Sequence, residues 1–224
     1  MTDTTRLAEK LTARFEDTLS GSLTNHNQIT LVVKPSHLLL TCKALRDEDE
    51  FSFSQLVDLC GVDYSAYGEV DWATHETTST GFSRGRNKTT VGVDDKQRFA
   101  VVYHLLSIKH NHRLRLRCYL SEENPVLPTV TEIWSSADWY EREAYDMFGI
   151  LFEGHPDLRR LLTDYGFIGH PFRKDFPLEG NVEVRYDPDQ QRVVYQPVTI
   201  DNRVLVPRVI RDDNRYIADE DSDG

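Results

Sequence analysis

The sequence contains only three cysteines in 224 residues, and their spacing excludes several kinds of site. Cys42, Cys60 and Cys118 lie far apart, and no CxxC pair occurs. Zinc ribbons, iron–sulfur ligation and disulfide frameworks all depend on paired or clustered cysteines. We therefore expect the three thiols to pack as small hydrophobic side chains.

The chain also lacks a long hydrophobic run and an excess of positive charge. Its most apolar stretch, FAVVYHLLSI from Phe99, is too short and too interrupted to span a bilayer, and the start lacks the apolar core of a secretory signal. The 26 Lys and Arg against 37 Asp and Glu give a net charge of −11. Nucleic-acid binding depends on neutralising phosphates, so we expect no nucleic-acid partner. We expect a cytoplasmic protein whose contact with a membrane is indirect.

No catalytic signature is visible. Glu141 and Glu143 would point about 200° apart on a helix, so they cannot act on one bond as a glycosidase pair does. A phosphate-binding GxxxxGK motif and a nucleophile signature are also missing. A metal held by His155 and His170 is an alternative, although each histidine lies between Gly and Pro and lacks helical ligand spacing. The residues therefore predict no catalytic, cofactor-binding or metal-binding residue.

Residues 1–134 are predicted to form an α+β domain, a small mixed or antiparallel sheet with helices packed on one face. Apolar residues at helical spacing predict a helix over residues 5–19. A β-branched run predicts a strand over residues 29–33, and Pro35 can open a second helix.

The middle of this domain is less regular. Ser52 and Gln55 resemble a capping box, which predicts a short helix that ends at Gly61. A polar stretch at about residues 69–96 has few apolar anchors, and we expect it to form a mobile loop between two strands.

Two strands, residues 98–108 and 113–120, are expected to pair antiparallel around a turn near His110-Asn111. Arg113, Arg115 and Arg117 share one face of the second strand. A phosphate track is one interpretation of this row. A solvated or partner-facing row is favoured, because the net charge is negative and no aromatic residues are interleaved on that face.

Residues 135–187 carry the densest pattern in the chain. Ser135 or Ser136 can cap a helix that Gly149 ends. One stripe of this helix is apolar, and its members are Ala137, Tyr140, Ala144, Met147 and Phe148. Glu141 and Glu143 flank the stripe, and a carboxylate at such a border needs a cation. We expect Glu141 and Glu143 to pair with Arg159, Arg160 or Arg173, within the chain or across an interface, and so to attach the following segment to the helix.

Two Gly-His-Pro turns follow, and after them prolines are frequent. The chain beyond Phe176 is therefore expected to run extended over a surface rather than to fold back on itself. Residues 188–224 form a predicted tail with an acidic end. Its apolar residues cannot build a core of their own, which favours another protein as their partner.

The segment from Glu141 to Asp187, EREAYDMFGILFEGHPDLRRLLTDYGFIGHPFRKDFPLEGNVEVRYD, resembles the signature region of the 30 kDa subunit family of the proton-pumping NADH:quinone oxidoreductase, respiratory complex I. The likeness extends more loosely over residues 5–120 and fades at about residues 69–96 and after Pro207. It marks ten residues as interface or structural residues: Glu141, Arg142, Glu143, Asp146, His155, Arg159, Arg160, His170, Arg173 and Lys174.

The resemblance implies a non-catalytic assembly subunit of the hydrophilic arm, which carries electrons from NADH to quinone and couples them to proton translocation. It implies that FMN and the iron–sulfur clusters lie in partner subunits and that this chain binds no cofactor. Its implied neighbours are the D-type, quinone-site subunit and the adjoining iron–sulfur subunit, at the cytoplasmic side of the bacterial inner membrane. The equivalent subunit of a related membrane-bound hydrogenase-type complex is an alternative.

Overall fold

The computed structural model describes residues 3–65, 67 and 97–200. The chain divides into two compact units, one of Met1–Ala66 with Gly92–Phe176 and the other of Tyr67–Val91 with Pro177–Gly224. The predicted mobile loop and the acidic end of the tail lie outside the described residues.

The first unit is built on a five-stranded mixed sheet with the order β1-β2-β5-β4-β3. Strands β2 and β5 are parallel, and the other neighbours are antiparallel. The strands are β1 Leu19–Asn25, β2 Gln28–Val33, β3 Gln55–Asp63, β4 Phe99–Ser107 and β5 His112–Leu120. The predicted antiparallel pair and its turn are confirmed as β4 and β5, and Asn111 adopts a positive φ of 53° in that turn.

Three helices cover one face of this sheet, which confirms the α+β class. They are α1 Asp3–Phe15, α2 Leu38–Asp47 after a 3-10 turn at Pro35–His37, and α3 Ala137–Phe148. Alternate residues of β4 and β5, such as Tyr103 and Leu116, point into the core. There they pack with apolar side chains of the three helices, such as Leu11, Leu45 and Ala144. The buried apolar surface fixes the helices to that face of the sheet.

The helix predicted from Ser52 to Gly61 is wrong, because this segment forms β3. Leu56 and Leu59 are both buried against the core although they are three residues apart, a spacing typical of a helix. A register shift between Leu56 and Asp58 admits an extra residue and restores both leucines to the same face. The predicted end of the first helix is also late, because β1 begins at Leu19.

Two smaller sheets complete the described chain. In the first unit β6, Val126–Pro128, pairs in parallel with β7, Leu151–Glu153, on either side of α3 in the sequence. In the second unit β8, Val182–Asp187, and β9, Arg192–Pro197, form an antiparallel hairpin. The prediction that the chain after Phe176 does not fold back is therefore wrong for this hairpin.

No helix among the described residues is long and apolar enough to cross a membrane.

Candidate functional site

Helix α3 forms with the predicted limits and provides the base of the site. Gly149 ends it in the left-handed conformation (φ 74°), and its N–H donates to the carbonyl of Tyr145. Ser136 precedes the helix but makes no side-chain cap; its hydroxyl donates instead to the carbonyl of Leu56 at 3.4 Å. The helix is therefore attached to the sheet edge at its start and stopped by a glycine at its end.

Asp146 is the centre of the site. Its fully buried carboxylate accepts the backbone N–H groups of Leu161, Leu162 and Thr163 at 3.1, 2.8 and 2.9 Å, and the Thr163 hydroxyl at 2.6 Å. Arg160 adds an ion pair at 3.0 Å. Burial by itself would raise the pKa of Asp146, but these donors outweigh it and lower the pKa to about 2. The carboxylate thus holds three consecutive backbone amides of the following segment against α3.

Two arginines hold carbonyl groups of the same segment. Arg142, on α3, donates to the carbonyls of Arg159 and Arg160 at 3.1 and 3.3 Å. Arg160 itself reaches the carbonyl of Gly169 at 3.0 Å. Both guanidinium groups therefore serve backbone oxygens, and the segment is fixed at both ends.

The second Gly-His-Pro turn is fixed to the end of α3. His170 Nδ1 donates to the backbone carbonyl of Asp146 at 2.9 Å, and Arg173 Nε donates to that of Phe148 at 2.7 Å. A Cβ at Gly149 would lie 2.5 Å from an Arg173 nitrogen and 2.6 Å from His170 Nε2. These side chains satisfy carbonyl groups that the last turn of a helix leaves without partners.

His155, in the first Gly-His-Pro turn, is oriented by backbone groups on both sides of its ring. Nε2 donates to the carbonyl of Asp138 at 3.1 Å and lies 3.3 Å from its carboxylate, while Nδ1 accepts the N–H of Asp157 at 3.0 Å. These partners assign the proton to Nε2. Both nitrogens are in use, so the ring has no free lone pair for a metal ion.

Glu141 does not make the predicted ion pair. Its fully buried carboxylate accepts the Thr129 hydroxyl at 2.5 Å and the N–H of Val130 at 2.8 Å, beside β6. Burial raises the pKa of Glu141 to about 7, and the two hydrogen bonds only partly oppose this. The predicted pairing of Glu141 with an arginine within the chain is therefore wrong. The carboxylate of α3 that pairs with an arginine is that of Asp146, which the sequence pattern placed on the polar face of the helix.

The remaining predicted residues have lesser contacts. Glu143 is half-buried, and its carboxylate makes no hydrogen bond or ion pair within the described residues, so a pairing across an interface stays a prediction. Arg159 is exposed and pairs with its neighbour Asp157 at 2.8 Å. Lys174 contributes its backbone N–H, which donates to Asp63 at 2.9 Å.

That last contact belongs to a cluster that the sequence did not reveal. Arg98 donates to both oxygens of the Asp63 carboxylate, at 3.1 and 2.9 Å, and Ser65 and Lys174 add backbone N–H groups. Burial opposes ionisation of Asp63, but these donors hold its pKa well below the usual range. Arg98 also pairs with Asp175 at 2.9 Å. These residues come from distant parts of the chain, and no local motif joins them.

Together these contacts hold the loop that follows α3 against the helix. Within the described ranges no group of three His, Cys, Asp or Glu side chains is close enough to hold a metal ion. The loop between Asp157 and Phe176 instead turns large apolar side chains outward: Leu162 is 61% exposed, Ile168 83% and Phe172 56%. A polar framework on α3 therefore supports an apolar surface.

Comparisons with known proteins give a consistent result. Residues 31–182 match the family model described as respiratory-chain NADH dehydrogenase, 30 Kd subunit. The chain is 55% identical over 227 residues, with full coverage of both chains, to the C subunit of the NADH-quinone oxidoreductase of Coxiella burnetii (strain RSA 493 / Nine Mile phase I). It is 54% identical to that of Legionella pneumophila (strain Paris), with 99% of each chain covered. Among solved structures, a chain of an archaeal membrane-bound sulfane sulfur reductase shares the fold at a TM-score of 0.53 and 16% identity, covering 79% of this chain and 87% of that one.

Proposed function

The chain belongs to the 30 kDa subunit family of the respiratory-chain NADH dehydrogenase, the NADH-quinone oxidoreductase, and we propose that it is a structural and assembly subunit of that complex without catalytic residues of its own. In this role it helps to hold the hydrophilic arm together, while FMN and iron–sulfur clusters in partner subunits carry electrons from NADH to quinone. It binds none of these cofactors itself.

One observation carries this proposal. Arg142 and Asp146 on α3 bind backbone groups of the loop that follows the helix, and His170 on that loop binds the end of α3. Apolar side chains of the same loop face outward. Exposed apolar groups on a loop held so firmly favour a protein partner, because their removal from water stabilises an interface while little loop entropy is lost.

The hairpin of the second unit offers a comparable surface. Its cross-strand pairs place six apolar residues on one face, all of them largely exposed or at a strand end: Val182, Val184, Tyr186, Val193, Tyr195 and Pro197. An isolated two-stranded hairpin is marginally stable in water, so an apolar face of this kind favours a partner that covers it. We propose that the D-type, quinone-site subunit and its iron–sulfur neighbour cover these surfaces, at the cytoplasmic side of the inner membrane.

The test is affinity purification of the tagged full chain from its own membranes in mild detergent, followed by mass spectrometry and an NADH:quinone assay on the eluate. We expect the other arm subunits to be recovered in fixed proportion, with quinone reductase activity. The substitution Ile168→Asp should lower their recovery, since a charge replaces an apolar contact on the loop.

The matched control is Ile108→Asp, which introduces the same change at another exposed isoleucine, in the turn after β4. Recovery of the chain alone, or equal losses from the two substitutions, would contradict the proposed role of this loop. Thermal unfolding of the purified variants separates lost binding from lost folding.

A further inference from the structure

The second face of the five-stranded sheet is not covered by any helix among the described residues. The three helices all pack on the other face, with the core. On the second face the central strand β5 carries Arg113, Arg115, Arg117 and Tyr119, and the register places Leu106, His104, Val102 and Ala100 of β4 beside them. Arg113 is exposed and Arg115 and Arg117 are half-buried, whereas Ala100 and Val102 are buried, so the arginine side chains form the accessible part of this face.

The three arginines form a row along β5. Arg115 Nε donates to the Thr30 hydroxyl at 2.8 Å, which lays its side chain over β2. Arg117 donates to the Tyr119 hydroxyl at 2.8 Å, and its guanidinium lies 5.6 Å from the Tyr119 ring centroid and 6.0 Å from that of Tyr64. Arg113 is exposed. Because these partners are uncharged, they orient the guanidinium groups without neutralising them.

These charges have no carboxylate partner in the part of the chain that the structure describes, where none of the three arginines forms an ion pair. Nε of Arg117 is buried without a hydrogen-bond acceptor. Among the described strand residues of this face, the carboxylate is that of Asp58 in β3. His104 of β4 lies between Asp58 and Arg115 in the register of the sheet. In a chain of net charge −11, such a row is an unusual concentration of positive charge.

The spacing of the row defines what can match it. Alternate residues of a strand lie about 6.6 to 6.8 Å apart, and the same repeat separates alternate side chains of any other extended segment. Guanidinium and carboxylate groups pair in a bidentate geometry that favours this combination over looser ion pairs. Carboxylates at every second position of an extended segment therefore match the backbone repeat of the three arginines along β5.

We infer that the row of Arg113, Arg115 and Arg117 on the second face of the sheet binds an extended acidic segment of a partner protein, with carboxylates at alternate positions. The segment lies along β5, with its carboxylates next to the arginine side chains. Nucleic acid is a poorer match because the net charge of −11 repels a long polyanion more strongly than a short segment with three carboxylates. The inference does not depend on the proposed function, since it rests on the isolated chain.

The experiment measures fluorescence anisotropy of the full chain with a labelled heptapeptide of alternating threonine and aspartate. The comparison peptide is its isomer with the three aspartates contiguous, which has the same charge and composition. We expect the alternating peptide to bind several-fold more tightly. The double substitution R113Q/R115Q should weaken its binding roughly tenfold, since it removes two of three ion pairs.

The matched control is R6Q/K43Q, which removes two exposed charges from α1 and α2 and should leave the affinity unchanged. The single variant R113Q, at an exposed position, keeps the test valid if the double variant unfolds; it should weaken binding by about threefold. Equal affinity for the two peptides, absence of binding, or an equal effect of R6Q/K43Q would overturn the inference. Tighter binding of an oligothymidylate with the same number of charges would assign the row to nucleic acid instead.

Discussion

At the scale of residues, two buried carboxylates on the same helix behave in opposite ways because their donors differ. Asp146 accepts three backbone N–H groups, a hydroxyl and a guanidinium, and it stays ionised. Glu141 accepts one hydroxyl and one N–H, and burial dominates its titration. Burial alone therefore does not determine the charge of a carboxylate; the number of donors around it does.

The titration of Glu141 predicts a pH-dependent stability. The pKa of Glu141 is about 7 in the folded chain, against an ordinary value of 4.5. Between these pH values the carboxyl group is mostly ionised in the unfolded chain and mostly protonated in the folded chain. The free energy of unfolding should therefore fall as pH rises through this window, by on the order of 2 kcal/mol, and this contribution should become constant above about pH 8. Urea unfolding between pH 4.5 and 8 measures it.

Glu141→Gln should remove this contribution, because an amide does not titrate and can still accept from Val130 and donate to Thr129. The control is Glu132→Gln, at an exposed glutamate five residues before the helix. A Glu141→Gln variant with the same pH profile as the Glu132→Gln variant and the wild-type chain would refute the assignment.

An isosteric substitution of Asp146 should cause a large loss of stability. Asp146→Asn keeps the shape but removes the charge that Arg160 and the three amides require, and it should cost on the order of 3 kcal/mol. Because the pKa of Asp146 is lowered to about 2, its stabilising contribution is present above about pH 4 and is lost as pH falls towards 2. Chemical unfolding at pH 7 and pH 3 measures both effects.

Asp164→Asn is the control, since Asp164 is exposed on the same loop. It should change the free energy of unfolding by less than about 0.5 kcal/mol. Hydrogen exchange of residues 161–163 should increase for Asp146→Asn alone. Equal exchange in both variants would contradict the role of the Asp146 carboxylate in holding these backbone amides.

At the scale of elements, the end of α3 and the loop after it form one structural unit. The helix stops at Gly149, and the side chains that satisfy its last carbonyls come from His170 and Arg173, more than twenty residues later. The glycine has two functions there: it adopts a positive φ, and its missing side chain leaves room for the two cationic or polar groups. The loop can dock only because the helix ends in this way.

Gly149→Ala should therefore destabilise the chain by about 2 kcal/mol or more, through backbone strain and through displacement of His170 and Arg173. Gly166→Ala provides the matched control, because Gly166 lies on the same loop, is not among the positive-φ glycines and has open space where the added methyl group would lie. Thermal unfolding of the two variants measures the difference. Similar melting temperatures would show that the close approach at Gly149 carries little energy.

At the scale of the whole molecule, apolar surface occurs on both compact units. The first unit exposes the loop held by α3, and the second exposes one face of the β8–β9 hairpin. Each surface brings several exposed apolar side chains together, which is consistent with a subunit of a larger assembly.

The hairpin predicts a separation of assembly from folding. Val184→Asp, on the apolar face, should leave thermal unfolding of the purified chain nearly unchanged and reduce recovery of partner subunits from membranes severalfold, because the aspartate would be buried in the complex. Val194→Asp is the control, since Val194 is in the same hairpin on the opposite face, paired with Arg185. Equal recovery with the two variants would contradict an interface on the apolar face.

The sequence by itself determined several local elements and the family. Helix α3 follows from its apolar stripe and Gly149, the β4–β5 hairpin from alternation around a turn, and the family from the run between Glu141 and Asp187, because these signals lie within a few dozen residues. Only the tertiary structure decided which carboxylate meets which cation. Glu141 and Asp146 differ little in sequence context, and their charges depend on Val130 and Thr163, groups that approach only when the chain folds. The bulge in β3 and the Asp63–Arg98 cluster were hidden for the same reason: long-range pairing, which no local pattern records, overrides local spacing.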